Sequence, residues 1–140
     1  MITFRPAEDL TNAAELTLTN MRSYYELYSV EWSSTDIEKM TQDLSNWEIL
    51  LHDEPVGIMR LSFDSDECQV RDLQVSMQHQ NQGIGSRALA EAERFAKESG
   101  ARILKLRVFK CSPAVDLYRR SGFGIHNEDD RFFYMERPVS

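Results

Sequence analysis

Hydrophobic residues are spaced differently in successive parts of the chain, and the spacing predicts the elements. Ile2 to Arg5 is a short strand-like run. From Glu8 to about Val30 the apolar residues mostly recur every three or four positions, as on a helix with one buried face. Ser34 is the predicted N-cap of a second helix that extends to about Leu44.

The middle of the chain contains short β-prone runs separated by turns. Trp47–Leu51 and Val56–Phe63 are predicted strands, joined by a hairpin turn at Asp53-Glu54-Pro55. A second turn at Asp64–Glu67 leads to a strand over Gln69–Val75, in which successive residues alternate between two faces.

The last part of the chain alternates helices with strands. A strongly amphipathic helix is predicted from Gly83 or Ile84 to Ser99, and Gly100 is placed to end it in a left-handed conformation. Ser112 and Pro113 are predicted as the N-cap and first residue of a later helix that ends at Gly122. The remaining strands are predicted at Ile103–Phe109, Phe123–His126 and Phe132–Glu136.

Together these elements predict an α/β (α+β) fold with helices on a mixed central sheet of about six or seven strands and about four helices. The strand–helix–strand unit from Gln69 to Phe109 predicts a right-handed parallel crossover, whereas the hairpins predict antiparallel pairs. The length of 140 residues, without a repeat or a linker, predicts a single domain over residues 1–140.

Composition excludes several classes of protein. The apolar fraction of 41% and the charged fraction of 28% are those of a soluble globular chain. No apolar run approaches the roughly 18 residues of a membrane span. The first residues lack the charged and apolar regions of a signal peptide. We therefore expect a cytoplasmic protein that does not bind a membrane.

Charge and potential metal ligands narrow the function further. The formal net charge of −7 argues against nucleic-acid binding, which needs a concentrated basic face. The same charge favours a cationic amine substrate through electrostatic steering, or else serves only solubility. Cys68 and Cys111 lie far apart in no paired motif, which predicts reduced thiols. His52, His79 and His126 lack metal-ligand spacing, so no metal site is expected.

The clearest chemical signal is the loop Gln80–Gly85, which lies between a predicted strand and the amphipathic helix. The first amides of a helix have no internal partner, and the helix dipole attracts anions to this end. Gly83 and Gly85 lack the side chains that would keep phosphate oxygens away from these amides. The alternative is an ordinary loop that contains two glycines.

Two other phosphate-binding motifs do not fit this loop. Gly83-x-Gly85-x-x-Ala88 formally matches a dinucleotide fingerprint, but that fold requires an acidic residue about 20 positions later. The next strand ends in Phe109-Lys110-Cys111 without an acid, so we expect no NAD(H) binding. A P-loop is excluded because no Gly-Lys-Ser/Thr follows.

The chain resembles the GNAT superfamily of acyl-CoA-dependent N-acetyltransferases in three motifs that occur in the family's order and spacing. Gln80-x-x-Gly83-x-Gly85 fits the family's Gln/Arg-x-x-Gly-x-Gly/Ala loop. The strand motif Leu73-x-Val75 precedes it, and Ala114-x-x-Leu117-Tyr118-x-x-x-Gly122-Phe123 follows it. Together the motifs cover about residues 68–124.

The resemblance implies a GNAT-like domain that binds acetyl-CoA, or another acyl-CoA, as co-substrate. The ligand would lie in a V-shaped opening between the fourth and fifth strands, with its pantetheine arm on β-strand backbone and its pyrophosphate on the helix amides. Arg87 is a further polar candidate, or else pairs with Glu91 at the surface. The residues implied in cofactor binding are Leu73, Gln74, Val75, Gln80, Asn81, Gln82, Gly83, Ile84, Gly85, Ser86 and Tyr118.

The resemblance also implies the reaction, in which a primary amine of a small molecule or a protein attacks the thioester directly in a ternary complex. A lysine-like amine has a pKa of about 10.4, so a base must remove its proton. The position of the family's usual glutamate is Gln69, which cannot act as a base, so Glu67 or Asp72 is the candidate. A backbone N–H near Val75 would stabilise the oxyanion. Tyr118 matches the family's general acid; the alternative is a tyrosine that only packs by its ring.

One position departs from the family pattern. Many members have asparagine three residues before the alanine of the later helix, where this chain has Cys111, a poor donor and acceptor. We expect this cysteine to be buried rather than reactive. Together with Gln69, it leaves a second function open, a non-catalytic acyl-CoA-binding or sensing module on the same fold.

The acceptor site is the least specified part of the sequence. By resemblance, the first helical region covers it, and Tyr24, Tyr28 and Trp32 are the predicted substrate-binding residues. Aromatic rings with nearby carboxylates can hold a cationic amine, although helical spacing also assigns at least two of the aromatic residues of this region to the core. The edge formed by the last two strands permits a dimer, so we expect a monomer or a homodimer.

Overall fold

The computed structural model describes residues 1–140. Seven strands lie at Ile2–Pro6 (β1), Ser45–Leu51 (β2), Glu54–Asp64 (β3), Glu67–Val75 (β4), Ile103–Phe109 (β5), Gly124–Glu128 (β6) and Phe132–Pro138 (β7). Four α-helices lie at Leu10–Leu27 (α1), Ser34–Thr41 (α2), Ile84–Ser99 (α3) and Ala114–Arg120 (α4), and a 3₁₀ turn lies at Met77–His79.

The strands form one mixed sheet in the order β1-β2-β3-β4-β5-β7-β6. β4 and β5 are parallel, whereas β1 pairs with β2, β5 with β7, and β6 with β7 in antiparallel fashion. The predicted α+β fold class is therefore confirmed, with seven strands and four helices. None of the helices combines the length and the apolar character that crossing a membrane requires.

The backbone groups into two compact units. The first comprises Met1–Arg60 and Asp72–Ile84, and the second comprises Leu61–Arg71 and Gly85–Ser140.

In the first unit, side-chain caps define where the helices begin. The Asp9 carboxylate accepts a hydrogen bond from the Asn12 N–H at 2.9 Å and caps α1. α2 begins with a capping box: Ser33 Oγ accepts from the Asp36 N–H, and the Asp36 carboxylate accepts from the Ser33 N–H. The predicted cap at Ser34 is wrong by one residue, because the acid that completes the box lies three positions after Ser33.

The hairpin between β2 and β3 turns earlier than predicted. Its two turn residues are His52 and Asp53, with φ angles of +49° and +70°. Positive φ at both positions matches the twist of the flanking strands, so this geometry suits a two-residue hairpin. Glu54 and Pro55 belong to β3, which makes the prediction of a turn at Asp53-Glu54-Pro55 wrong by one to two residues.

In the second unit, β5 is the central strand. It pairs with β7 along its whole length, from Ile103 opposite Pro138 to Phe109 opposite Phe132. Its parallel ladder with β4 is shorter and runs only from Glu67 opposite Ile103 to Val70 opposite Leu106. β6 forms the edge of the sheet, and all of its residues are exposed.

α3 and α4 end in the same way. Gly100 has φ +83°, its N–H donates to the Lys97 carbonyl, and the Ala101 N–H donates to the Ala96 carbonyl at 2.9 Å. Such a pair of bonds around a left-handed glycine is a Schellman motif, which confirms the predicted terminator. Gly122, with φ +92°, ends α4 through the corresponding bonds.

The start of α4 differs by one position from the prediction. Pro113 occupies the N-cap position and Ala114 is the first helical residue. The Ser112 hydroxyl nevertheless accepts a hydrogen bond from the Ala114 N–H at 3.1 Å, so it satisfies a terminal amide as expected of a capping side chain.

Candidate functional site

The strand, loop and helix expected around the anion-binding motif are all present. β4 ends at Val75, the 3₁₀ turn follows, and α3 begins at Ile84. Gly83 has φ +80°, and apart from its own atoms and those of its two chain neighbours, no atom lies within 4 Å of the position that a side chain would occupy. The Ile84 side chain is 3% exposed and anchors the first turn of the helix in the core. The backbone before α3 is thus fixed on one side and uncovered at Gly83.

The second glycine of the motif has a packing role. A Cβ on Gly85 would lie 2.8 Å from Leu117 Cδ2 of α4, closer than side chains normally approach. Gly85 therefore permits close packing between α3 and α4. Both glycines were predicted to let an anion approach the backbone, and Gly85 is required in addition by this helix packing.

The polar side chains of the loop bond chiefly within the loop and to β4. Gln80 Nε2 donates to the Val75 carbonyl at 3.0 Å, and Gln82 Nε2 approaches the Gln78 carbonyl at 3.4 Å. Asn81 adopts φ +62°, and Asn81 and Ser86 are exposed. Gln80, predicted to contact the ligand's pyrophosphate, thus lies against the end of the strand.

Arg87 forms the surface ion pair that was the alternative to a ligand contact. Its Nη1 lies 4.0 Å from Glu91 Oε1. Half of its side chain is exposed, so this pair is worth little in stability.

The end of β4 is held by side chains of the first unit. Gln74 is 8% exposed, and its Oε1 accepts a hydrogen bond from Asn20 Nδ2 of α1 at 3.2 Å. The same Nδ2 donates to the Val75 carbonyl at 2.8 Å. Leu73 and Val75 are half-buried. The sequence does not predict this role for Asn20, because no local pattern links it to a strand more than fifty residues away.

Asp72, one of the two candidate bases, is partly buried and forms an ion pair with the buried Arg60. Its Oδ2 accepts from Arg60 Nη1 at 2.5 Å, and its Oδ1 accepts from Gln74 Nε2 at 2.6 Å. Arg60 is 1% exposed and also donates to Thr17 and Asn46. A single charged residue inside the apolar run of β3 was the available sequence signal for this pair, because a buried charge needs a partner.

Burial and this ion pair also affect Tyr25. Its pKa is raised to about 12, chiefly by burial and further by the negative charge of Asp72. Tyr25 therefore remains a neutral phenol at physiological pH.

Glu67, the other candidate base, lies at the start of β4 in the second unit. Its Oε1 is 2.8 Å from Lys105 Nζ on the paired strand. The Glu67 carboxylate raises the pKa of Lys105 above its ordinary value, mainly through this hydrogen bond. Gln69, the residue at the family's glutamate position, pairs with Lys105 in the ladder.

Tyr118 is 8% exposed and lies in α4. Its ring makes an edge-on contact with Phe123, with centroids 6.0 Å apart. In a Schellman motif a hydrophobic contact commonly joins these two positions. The ring thus packs as the alternative interpretation expected, and this packing is compatible with a role for the hydroxyl.

The aromatic residues predicted to bind substrate have different surroundings. Tyr24 and Tyr28 are half-buried on α1, and Trp32 is 43% exposed. Trp32 stacks edge-on against Tyr25, which lies in the core between α1 and α2.

A groove of about 330 Å³ lies elsewhere in the first unit, between α1 and the start of β3. None of the three predicted aromatic residues lines it. Its lining includes Asp9, Glu15, Thr19, Glu48, Val56 and Ser76.

The cysteines are not joined by a disulfide. Cys68 is buried, and burial raises its pKa to about 11. Cys111 is exposed, so the prediction that it is buried is wrong. It lies in the turn between β5 and α4, which faces solvent. No group of three or more His, Cys, Asp or Glu side chains is arranged to hold a metal ion.

The seven-stranded mixed sheet, with a glycine loop between β4 and α3, defines the fold class of the protein as mixed α+β. Residues 13–123 match the Acetyltransferase (GNAT) family, and the chain belongs to this family. The resemblance stated from the sequence is thereby confirmed.

Individual relatives extend this comparison. The chain is 33% identical over 81 residues to streptothricin acetyltransferase of Streptomyces lavendulae, a match that covers 49% of this chain and 43% of that protein. The matched part thus spans less than half the length of this curated relative.

Solved structures share the fold. The PaiA N-acetyltransferase of Thermoplasma acidophilum, in complex with coenzyme A, superposes with a TM-score of 0.79 over 99% of each chain at 21% identity. Nourseothricin acetyltransferase superposes with a TM-score of 0.64 at 26% identity, over 70% of this chain and 66% of its own.

Proposed function

We propose that this chain transfers an acetyl group from acetyl-CoA to a primary amine of a small molecule or a protein, by direct attack in a ternary complex. The observation that carries the proposal is the uncovered backbone at Gly83, immediately before the anchored first turn of α3. Family membership supports acyl transfer, and the Thermoplasma relative was solved with coenzyme A bound. We also propose that residues 1–140 act as one domain, as a monomer or a homodimer.

Two parts of the chain would bind the co-substrate. The amides from Gln82 to Ser86 supply donors for the pyrophosphate, since the first amides of α3 have no partner within the helix. The backbone of Leu73–Val75 supplies groups for the pantetheine arm, because the ladder of β4 with β5 ends before these residues, at Val70.

The reaction requires three groups of the protein: a base, a hydrogen-bond donor for the oxyanion and a general acid. A base takes a proton from the acceptor's ammonium group and so produces the neutral amine that attacks, and Glu67 and Asp72 remain the candidates for this base. The Val75 N–H stabilises the oxyanion that forms as the amine nitrogen attacks the thioester carbon. The Tyr118 hydroxyl donates a proton to the thiolate as the carbon–sulfur bond breaks.

The acceptor would be a cationic amine. The groove beside α1 carries the carboxylates of Asp9, Glu15 and Glu48, and Ser76 at its edge directly follows β4. Glu48 is already paired with Arg5 at 2.7 Å, and Asp9 caps α1. Glu15 neither forms that ion pair nor caps the helix, so it is the first candidate among these carboxylates to bind the amine. Tyr24, Tyr28 and Trp32 stay a second candidate for the acceptor site.

Thermal unfolding with ligands tests the cofactor assignment directly. A ligand that binds only the folded state must raise the melting temperature, and a concentration of 100 Kd stabilises by about 2.7 kcal/mol. We expect acetyl-CoA to raise it and NAD to leave it unchanged, with longer acyl-CoAs reporting the tolerated chain length. No shift with any CoA ester would overturn the proposal.

A non-catalytic acyl-CoA sensor is the second candidate. Both candidate bases are engaged in ion pairs, Glu67 with Lys105 and Asp72 with Arg60, and this observation favours it. Release of free thiol from acetyl-CoA, measured across a panel of amines and peptides, separates the two functions. Binding of acetyl-CoA without turnover on any acceptor would identify the sensor.

A further inference from the structure

A continuous series of hydrogen bonds in the first unit connects the ion pair of Arg60 and Asp72 to the end of β4. It begins at Arg60, which donates to Asp72, and continues through Gln74 to Asn20. It ends at the Val75 carbonyl, which accepts from Asn20 Nδ2 at 2.8 Å and from Gln80 Nε2 at 3.0 Å. Together these hydrogen bonds fix the orientation of the side-chain amides of Asn20, Gln74 and Gln80.

The ion pair determines this orientation. A carboxylate only accepts hydrogen bonds, so Asp72 requires the Nε2 side of Gln74 and turns Oε1 toward Asn20. Gln74 Oε1 and the Val75 carbonyl are both acceptors, so Asn20 must present Nδ2 to them. Its Oδ1 is left buried without a hydrogen-bond partner, a situation that native structures seldom contain. Reversing the amide would place that oxygen against two acceptors.

The geometry of β3 and β4 shows which way the backbone groups of Val75 point. The Ser76 N–H donates to the Val56 carbonyl of β3 at 2.8 Å, and a Cβ on Gly57 of β3 would lie 2.4 Å from the Gln74 carbonyl oxygen. Those groups point toward β3. Because successive residues of a strand direct their backbone groups to opposite sides, the N–H and C=O of Val75 point away from β3.

We propose that Asn20 is a positioning residue for acyl transfer, which together with Gln80 occupies the Val75 carbonyl so that the end of β4 offers the thioester only its N–H. This inference rests on the proposed function. An unpaired carbonyl beside the Val75 N–H would repel the thioester oxygen of bound acetyl-CoA and, more strongly, the oxyanion formed from it. Two amide donors on the Val75 carbonyl oxygen remove both effects. Asp72 contributes indirectly, because its hydrogen bond to Gln74 holds the amides of Gln74 and Asn20 in one orientation.

The test compares two ligands that differ only in the thioester. Calorimetric Kd values for acetyl-CoA and for CoA are measured on wild type, Asn20→Ala and the control Ser23→Ala, an exposed polar residue one turn along the same helix. We expect Asn20→Ala to weaken acetyl-CoA binding by about three- to tenfold, the loss typical of one hydrogen bond, and to leave CoA within about twofold. Asn20→Asp, which sets a carboxylate against the Val75 carbonyl, has the larger effect.

The outcomes separate this inference from the proposed function. An acetyl-CoA to CoA ratio in Asn20→Ala equal to that of wild type overturns the positioning role while the acyl-CoA site stands. A wild type that binds neither ligand overturns both. If Asn20→Ala does not fold, Gln80→Ala replaces it, because this exposed residue supplies the other donor to the Val75 carbonyl. The ratio of its Kd values for acetyl-CoA and CoA is then compared with that of wild type.

Discussion

At the scale of single residues, Tyr118 shows how one side chain can serve two purposes. Its ring forms the contact with Phe123 that accompanies the helix terminator at Gly122, which explains the spacing Tyr-x-x-x-Gly-Phe without reference to catalysis. Its hydroxyl is not needed for that contact. Packing and chemistry can therefore be separated by removing the oxygen alone.

We expect Tyr118→Phe to lower kcat by about a hundredfold or more, the contribution typical of a general acid, and to change the Kd for acetyl-CoA far less. Steady-state kinetics with the best acceptor measures this. Tyr134→Phe is the matched control, because it removes a hydroxyl that bonds Asp129 near the β6–β7 turn. Equal kcat values for Tyr118→Phe and wild type would remove this hydroxyl from the mechanism.

The ion pair between Arg60 and Asp72 predicts a second residue-scale effect, this time on stability. Asp72→Asn leaves the guanidinium of a residue that is 1% exposed without its charged partner. Breaking such a pair from one side costs about 3 kcal/mol. Urea unfolding measures the free energy, and Glu98→Gln, which breaks a solvent-exposed pair with Arg94, should stay close to wild type. A small effect for Asp72→Asn would show that water solvates Arg60.

At the scale of elements, the ends of helices can be tested with paired glycines. Gly122 has φ +92°, whereas a Cβ on Gly124 meets no atom within 4 Å and its φ is not in the left-handed region. Gly122→Ala should destabilise by about 1–2 kcal/mol through backbone strain, and Gly124→Ala should not. Equal denaturant midpoints for the two variants would contradict the Schellman assignment.

The capping box of α2 predicts a dependence on pH. The pKa of Asp36 lies below its ordinary value of 3.8, first because the Ser33 backbone N–H donates to it. A carboxyl with a lowered folded pKa stabilises fully above its unfolded pKa and loses that effect as pH falls through the folded value. Asp36→Asn should therefore lower the melting temperature at pH 6, and the difference from wild type should shrink as the pH falls below the unfolded pKa of about 3.9. Asp43→Asn, at an exposed position, controls for charge, and a difference independent of pH would contradict the cap.

The ends of helices and the turns could be predicted from the sequence where the residues that determine them lie close together and have a distinctive composition. The Schellman glycine at Gly100 was predicted, because its signal lies within one helix turn. The cap at Ser33 was missed beside an equally suitable serine, although Asp36 was available to decide between them. The turn at His52-Asp53 was missed because neither residue is glycine, so the composition gave no sign of two positive φ angles.

At the scale of the whole molecule, the order of the elements and the family were predictable, and the polar interior was not. Three motifs in register identified the family because each is local and their spacing is characteristic. The series of hydrogen bonds that begins at Arg60 and includes Gln80 joins α1, β3, β4 and the loop. The bonded residues are up to 55 positions apart in the sequence. Such pairings follow from the folded topology, and composition alone does not specify them.

The unequal exposure of the two cysteines has a practical consequence. Cys68 is buried with a pKa raised to about 11, so it offers little thiolate to a reagent at neutral pH. A maleimide dye should therefore modify the native protein once, at the exposed Cys111, and mass spectrometry after digestion would locate it. Modification of both cysteines before unfolding would contradict this expectation. A single labelled turn between β5 and α4 provides a fluorescent reporter, without any engineered residue, for titrations with CoA esters.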